Sequence, residues 1–333
     1  MSGLPPQVGL PGPGEAARGA SPAAAAPLVR LARPQDAEVV RAVIVEAFLA
    51  RPPLDPPSTA PEETVETVRD AITSCAGVVA ELDGAVAGVL LLAHEADVLT
   101  LRRVATRPAY RRRGVATAMA AFAERHAMAL RARVVACSAR TELPETVAFW
   151  WHRGYVAVGH RGHLVDLAKP APALVRLPSA EDTRALGLRL AGLLRAGDLV
   201  VLTGDLGAGK TTLTQGIGAG LGVRGEVTSP TFVIARVHPG PGPDLVHVDA
   251  YRLGGALEID DLDLDASIEE SVTVVEWGAG KVERLSTDRL EVQLTQLNDG
   301  STRTALLCAV GRRWLERADE LAAMAEGAGP DAS

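Results

Sequence analysis

The sequence predicts an α/β protein of two units in tandem, each a sheet with flanking helices. Three observations lead there. At 333 residues the chain exceeds what one hydrophobic core usually organises. The segment AKPAPA, residues 168–173, parts two stretches of different character, and its two prolines favour an extended, semi-stiff connector. Behind it the apolar runs DLVVLT (198–203), LVHVD (245–249) and VTVVE (272–276) lack alternation, as strands buried on both faces do. Residues 28–167 therefore read as a mixed α+β sheet with flanking helices. Residues 174–310 read as a second α/β sheet, and 311–333 as a C-terminal helix and tail.

Taken in order, residues 1–27 are rich in Pro, Gly and Ala, bury too little surface to order themselves, and carry no secretory signal. LVRLARPQD (28–36) predicts a strand and turn, and DAEVVRAVIVEAFLA (36–50) an amphipathic helix. GVVAELDGAVAGVLLLA (77–93) predicts two strands hinged at Asp83-Gly84. VLTLRRVAT (98–106) is a further strand, residues 115–132 a long helix, and RVVACSA (133–139) another strand. There is no internal repeat.

Hydrophobic residues make up 47% of the chain but aromatics only 3%, so Leu, Val and Ala must fill the cores. No apolar run approaches the roughly 20 residues of a membrane span. Cys75, Cys137 and Cys308 lack metal-ligand spacing and read as reduced thiols of a cytoplasmic protein. A net charge of −7 argues against a general nucleic-acid binder, although LRRVATRPAYRRR (101–113) is basic and ALEIDDLDLDASIEE (256–270) acidic. Of 34 basic residues only Lys169, Lys210 and Lys281 are lysines. A lysine kept at 210 points to a need for a compact ammonium there.

That lysine sits in Gly204-Asp205-Leu206-Gly207-Ala208-Gly209-Lys210-Thr211, a full match to G-x-x-x-x-G-K-[ST] between a strand and a helix start. Glycines let such a loop curl so that its backbone N–H groups face phosphates, and the helix dipole adds positive potential. Lys210 would neutralise β- and γ-oxygens of ATP, and the Thr211 hydroxyl would ligate Mg²⁺. Asp205 to Thr212 form the nucleotide site. Asp249 and Glu276, each ending a buried strand, are placed to serve the metal or to orient attacking water.

GDLGAGKTT, then SPTF (229–232), HVDAYR (247–252) and EW (276–277) follow the order of the TsaE family, P-loop ATPases of tRNA threonylcarbamoyladenosine formation, which residues 174–310 resemble. The resemblance implies that Lys210 and Thr211 hold phosphate and metal and that Asp249 and Glu276 serve metal and hydrolysis. It also implies that Trp277 and the Ser229-Pro230-Thr231 turn line the site and that Thr183 lies near the adenine. It further implies partners, TsaD-like and TsaB-like proteins that carry threonylcarbamoyl to adenosine 37, with tRNA met only indirectly and no membrane. Gly278 stands where the family usually has proline. Between 212 and 246 only Arg224 and Arg236 are arginines, too few for a nucleotide kinase's lid.

In the front unit Arg111-Arg112-Arg113-Gly114-Val115-Ala116 fits R-x-x-G-x-A at the head of a helix. With the strand before it and FWWHRGY (149–155) after it, residues 28–166 resemble the GNAT acetyltransferase superfamily. Backbone amides at 112–117 would bind the pyrophosphate of acetyl-CoA, so the cofactor site is placed at Val104, Thr106, Arg111, Arg112, Arg113, Gly114, Val115, Ala116 and Thr117. Many members carry a tyrosine that protonates the departing thiolate. Trp150 occupies that place here, which leaves His152 or Tyr155 as substitutes and His94, Glu95 and Asp97 as candidate bases.

Three readings follow. Both units are enzymes, the front one acetylating an unidentified amine; or the front unit is a CoA-binding or docking module; or the rear unit is a small-molecule kinase.

Overall fold

The computed structural model describes residues 26–230, 232–253, 258, 268–298 and 300–326, and within them the strands assemble into two seven-stranded sheets. The tail expected over 1–27 falls outside these residues as far as position 25. So do 256–257 and 259–267 of the acidic segment, and Thr231.

In chain order the front half contains β1 (Leu28–Leu31), α1 (Ala37–Leu49), α2 (Val65–Ser74), β2 (Ala76–Leu82), β3 (Ala85–Glu95) and β4 (Val98–Thr106). It continues with α3 (Val115–Ala129), β5 (Val134–Arg140), α4 (Pro144–His152), β6 (Val156–Arg161) and β7 (Leu164–Pro170). The sheet order is β1-β2-β3-β4-β5-β7-β6. Its apolar runs lack alternation because both faces are covered. Leu90 and Leu92 of β3 join Met119 and Ala123 of α3, while Val89 and Leu91 join Val40 and Ile44 of α1. The β2–β3 hairpin turns on Asp83 and Gly84, both left-handed at φ 54° and 76°, as a tight primed turn requires.

The feature that positions a site is the split between β4 and β5. They pair in parallel only from Val98–Leu101 against Val134–Cys137. Beyond that, β4 stays with β3 and β5 with β7. One extra residue bulges β4, since Leu91 faces Arg102 but Val89 faces Ala105, and Arg103 takes φ 51° there. The strands separate as a V that opens toward their C-terminal ends.

The rear half comprises β8 (Ala173–Leu177), α5 (Ala180–Ala191), β9 (Leu199–Thr203), α6 (Lys210–Leu221), β10 (Ala235–His238), β11 (Asp244–Asp249) and β12 (Ser271–Glu276). After them come β13 (Arg289–Gln296), β14 (Arg303–Val310), α7 (Arg312–Leu315) and α8 (Ala318–Glu326). The order is β10-β11-β12-β9-β13-β14-β8, with β11, β12, β9 and β13 mutually parallel. Helices α5 and α6 touch through glycines. A Cβ on Gly216 would lie 2.2 Å from the Arg184 carbonyl oxygen, and one on Gly187 2.4 Å from that of Leu213. This close approach sets α5 directly against the helix that leaves the phosphate-type loop.

Residues 168–173, expected as a stiff connector, are buried. β7 runs to Pro170 inside the front sheet and β8 begins at Ala173 on the edge of the rear one, so sheet hydrogen bonds take up the segment. The two halves also touch directly. Val310 methyls pack where a Cβ of Gly154 would stand, the Arg312 guanidinium donates to the Ala157 carbonyl, and Arg133 pairs with Asp319 at 2.9 Å. In place of one C-terminal helix there are two, α7 and α8, which deliver Trp314, Leu321 and Met324 to the rear core.

Candidate functional sites

The rear site forms where β9, β12 and β11 end side by side. Parallel register sets Leu202 beside Glu276 and Glu276 beside Asp249, so both strand-end carboxylates share one edge with the loop after β9. That loop turns on Gly204 (φ 137°) and Gly209 (φ 103°), conformations that exclude most side chains. The first bond of α6 runs from the Leu213 N–H to the Gly209 carbonyl at 2.9 Å, leaving the amides of Lys210, Thr211 and Thr212 without helical acceptors. Such a terminus is a ready anion cradle.

Lys210 is buried, and its ammonium donates to the Gly204 and Asp205 carbonyls at 2.8 and 2.9 Å. It also stands 3.8 Å from the centre of the Trp277 ring. Burial pushes its pKa down, opposed by the charges of Glu276, Asp249 and Asp205. The Thr211 hydroxyl donates to Glu276 Oε1 at 2.8 Å, and His247 Nε2 meets the same oxygen at 2.9 Å. Asp249 accepts from the Ser229 hydroxyl at 3.2 Å and from the Tyr251 N–H at 3.0 Å. Leu206 at the loop's crest is 89% exposed, and Asp205 and Gly207 are open to solvent beside it. Ala208 is buried below them.

Thr211, Glu276 and Asp249 offer hard oxygen donors, the type Mg²⁺ takes alongside substrate phosphates and several waters. Among the described residues no group of three or more His, Cys, Asp or Glu side chains could hold a metal by itself. Trp277 sits at φ 61°, an unusual conformation for so large a residue, secured by its N–H donating to the Leu202 carbonyl at 2.9 Å.

Thr183 is the residue expected near the adenine. It is fully buried under the loop, its methyl faces Gly209, and its hydroxyl is spent on the Ser179 carbonyl at 3.1 Å. Two residues escaped sequence reasoning. His247 lies two positions before Asp249 on β11, hence on the same face, and that spacing was a usable signal. Arg303 reaches the Gly207 carbonyl at 3.4 Å from β14, a strand that nothing local to the loop announces.

The front site fills the V between β4 and β5. Two cavities, of about 660 and 580 Å³, share the wall made by Arg51, Val104, Leu143, Thr146 and Trp150. The second is also lined by Thr106, Arg111, Arg112 and Ala116. Gly114 caps α3 at φ 76°, and the first helical bond is donated by Ala118 to Gly114. The amides of Val115, Ala116 and Thr117 thus lack helical acceptors, as at the rear loop. Val115 buries its side chain in the core and can offer only its backbone, whereas Thr117 is exposed. Arg113 turns away to Asp83 at 2.9 Å.

Trp150 lines the V, whereas His152, Tyr155, His94, Glu95 and Asp97, the proposed proton handlers, do not. Trp150 is 3% exposed and packs edge-on against Tyr155 at 4.9 Å. The Tyr155 hydroxyl donates to buried Glu124 at 3.2 Å, and burial drives its pKa well up. His152 ends α4 on the surface, its ring nitrogen on the Ala148 carbonyl. His94, Glu95 and Asp97 belong to the exposed β3–β4 turn, at the closed end of the V. These corrections share a cause: proximity in sequence to β4 or α4 does not say which end of the strand or helix meets the cleft.

A family model described as "Threonylcarbamoyl adenosine biosynthesis protein TsaE" matches residues 177–305, and one described as "Acetyltransferase (GNAT) family" matches 44–155. The tRNA threonylcarbamoyladenosine biosynthesis protein TsaE of Streptomyces coelicolor is 63% identical over 137 residues, covering 39% of this chain and 93% of that protein. Its namesake in Mycobacterium tuberculosis is 51% identical over 139 residues, covering 39% and 82%. Of solved structures, Bacillus subtilis YdiB is 32% identical with a TM-score of 0.39, covering 46% of this chain and 95% of that one. A PaiA N-acetyltransferase from Thermoplasma acidophilum in complex with coenzyme A is 15% identical with a TM-score of 0.40, covering 44% and 99%.

Proposed function

We propose that this chain, which belongs to the TsaE family and joins that unit to a GNAT acetyltransferase-like one, hydrolyses ATP in support of threonylcarbamoyl transfer to adenosine 37 of tRNA. TsaD-like and TsaB-like proteins are its partners, and tRNA is met through them. The observation that carries the reading is the convergence of Lys210, Thr211, Glu276 and Asp249 on one sheet edge beside a loop of free amides.

The chain's own residues suggest how. Arriving phosphates replace the Gly204 and Asp205 carbonyls as acceptors for Lys210, whose burial makes the ammonium cheap to transfer to a richer anion. Mg²⁺, held by Thr211 and Glu276 with Asp249 nearby, would neutralise charge on the β- and γ-oxygens. His247 would keep Glu276 anchored once the Thr211 hydroxyl serves a cation, leaving its other oxygen to orient the attacking water. Trp277 covers Lys210 and limits its access to bulk water.

In the front unit the amides at 115–117 with Arg111 and Arg112 hold the pyrophosphate of acetyl-CoA, and the V receives the acyl arm. Trp150 in the usual tyrosine's place, with the Tyr155 hydroxyl beside it committed to Glu124, favours a second reading in which this unit binds CoA without turnover. The test for the ATPase is release of inorganic phosphate by the full chain with and without the transferase pair. The test for the front unit is calorimetric titration with acetyl-CoA. Hydrolysis that the pair does not stimulate, or no acetyl-CoA binding, removes the corresponding half.

A further inference from the structure

The larger cavity of the V has an unusual electrostatic character. Among its lining residues are Arg51, Arg102, Arg103, Arg140, Arg161 and His163, and no aspartate or glutamate of the described residues lines it. Three of those guanidiniums are neutralised from outside the lining: Arg103 by Glu63 at 2.8 Å, Arg140 by Glu142 at 2.8 Å and Arg161 by Asp166 at 2.6 Å. Two are not. Arg102 makes no hydrogen bond or ion pair among the described residues, and Glu63, the acid near it, is committed to Arg103. Among the described residues the Arg51 guanidinium donates only to the Val104 carbonyl at 3.4 Å, and it lies 3.6 Å over the Phe48 ring. Burial beside Arg111 pulls the Arg51 pKa down to about 10, the mark of a cation whose surroundings do not compensate it.

From this charge imbalance we infer that the cavity accepts an amine that carries a carboxylate, with Arg51 and Arg102 as the residues that select it. The inference rests on the reading of the V as an acetyl-CoA site. A half-buried guanidinium without a carboxylate, Arg51, with the exposed Arg102 on the same lining, is matched by an anion of the ligand, and Arg binds carboxylate through a planar fork. The same field bears on the reaction. A cationic cavity disfavours ammonium, so the acceptor is held as the neutral amine, although among the described residues no carboxylate lines the larger cavity, and Glu142 and Glu145 belong to the adjoining one. Its nitrogen attacks the thioester carbonyl, the C–N bond forms, and the C–S bond breaks. The amine's proton leaves to solvent, and the CoA thiolate takes one from water.

The experiment uses the full chain, acetyl-CoA, and hexapeptides that begin with Asp or Glu beside isosteric ones that begin with Asn or Gln, followed by thiol release. The acidic peptides should react with a kcat/KM about tenfold or more above their amides, the scale of one lost charged contact. Arg51→Gln and, at the more exposed position, Arg102→Gln should each raise the acceptor KM and shrink that preference by a larger factor than any change in acetyl-CoA affinity. Arg51→Lys should restore part of it. Equal rates on acidic and amide peptides, with acetyl-CoA bound and consumed, would overturn the inference and leave the cofactor reading intact. So would an Arg51→Gln variant whose acetyl-CoA affinity falls while its acceptor KM stays, since the anion would then be CoA's own phosphate. Absence of acetyl-CoA binding would remove the underlying reading and the inference with it.

Discussion

Replacing Glu276 by Gln isolates the role of a single charge. In the structure one oxygen, Oε1, accepts from both the Thr211 hydroxyl at 2.8 Å and His247 at 2.9 Å, while the residue is 3% exposed. A glutamine keeps a carbonyl oxygen for both donors, so the fold should lose little, about 1 kcal/mol or less. The charge that would face metal and water is gone. Positioned carboxylates of this kind contribute about 10²- to 10⁴-fold, equivalent to about 3–5 kcal/mol of barrier. The assay is phosphate release by the full chain under saturating Mg²⁺ and ATP, with nucleotide affinity measured separately by calorimetry. A rate drop of that size with affinity within about threefold agrees with the role. A variant that hydrolyses ATP at close to the parent rate would refute it, and would assign Glu276 to holding His247 in the core.

Further outcomes follow from other contacts. Lys210→Ala should abolish hydrolysis while leaving the melting temperature close to the parent's, because burial disfavours the ammonium it removes; retained turnover with the transferase pair would mean the loop is misassigned. Gly216→Val should cost more than the ~1–3 kcal/mol typical of overpacking, because even a Cβ there meets the Arg184 carbonyl at 2.2 Å; thermal melting and ATP affinity should fall together. Hydrogen bonding from Arg161 holds the Asp166 carboxyl down at about 2, against a usual value near 3.8. A depressed carboxylate stabilises the fold above its unfolded pKa. Asp166→Asn should therefore cost under about 1 kcal/mol at neutral pH, an exposed pair being worth little, and the gap should close as pH falls from about 4 to 2 in paired denaturant titrations.

How far the sequence speaks differs between the two sites. The conformation of the rear loop was readable from one contiguous stretch whose glycines, Gly204 and Gly209, the geometry demands. Asp249 and Glu276 were readable as ends of apolar runs, and parallel pairing sets them side by side. Thr183 and Arg303 were harder, since α5 and β14 reach the loop only through tertiary packing. In the front unit the strand at 98–106 was legible in full, but the split from β5 was not. A bulge at Arg103 and the early end of the β4–β5 ladder are properties of strand pairing, and no local pattern encodes them. For that reason Arg51 escaped notice while exposed His94 and Glu95 drew it. The buried course of 168–173 likewise reflects strand partners that the segment itself does not announce, β5 and β6 on one side and β14 on the other.

One measurement bears on the central claim most directly. The full chain would be given γ-labelled ATP and Mg²⁺, alone and with the TsaD-like and TsaB-like pair, and the label followed. Free phosphate whose release rises when the pair is added, and disappears in Lys210→Ala, is the predicted result. Label carried onto a small molecule, or hydrolysis indifferent to the pair, would contradict it.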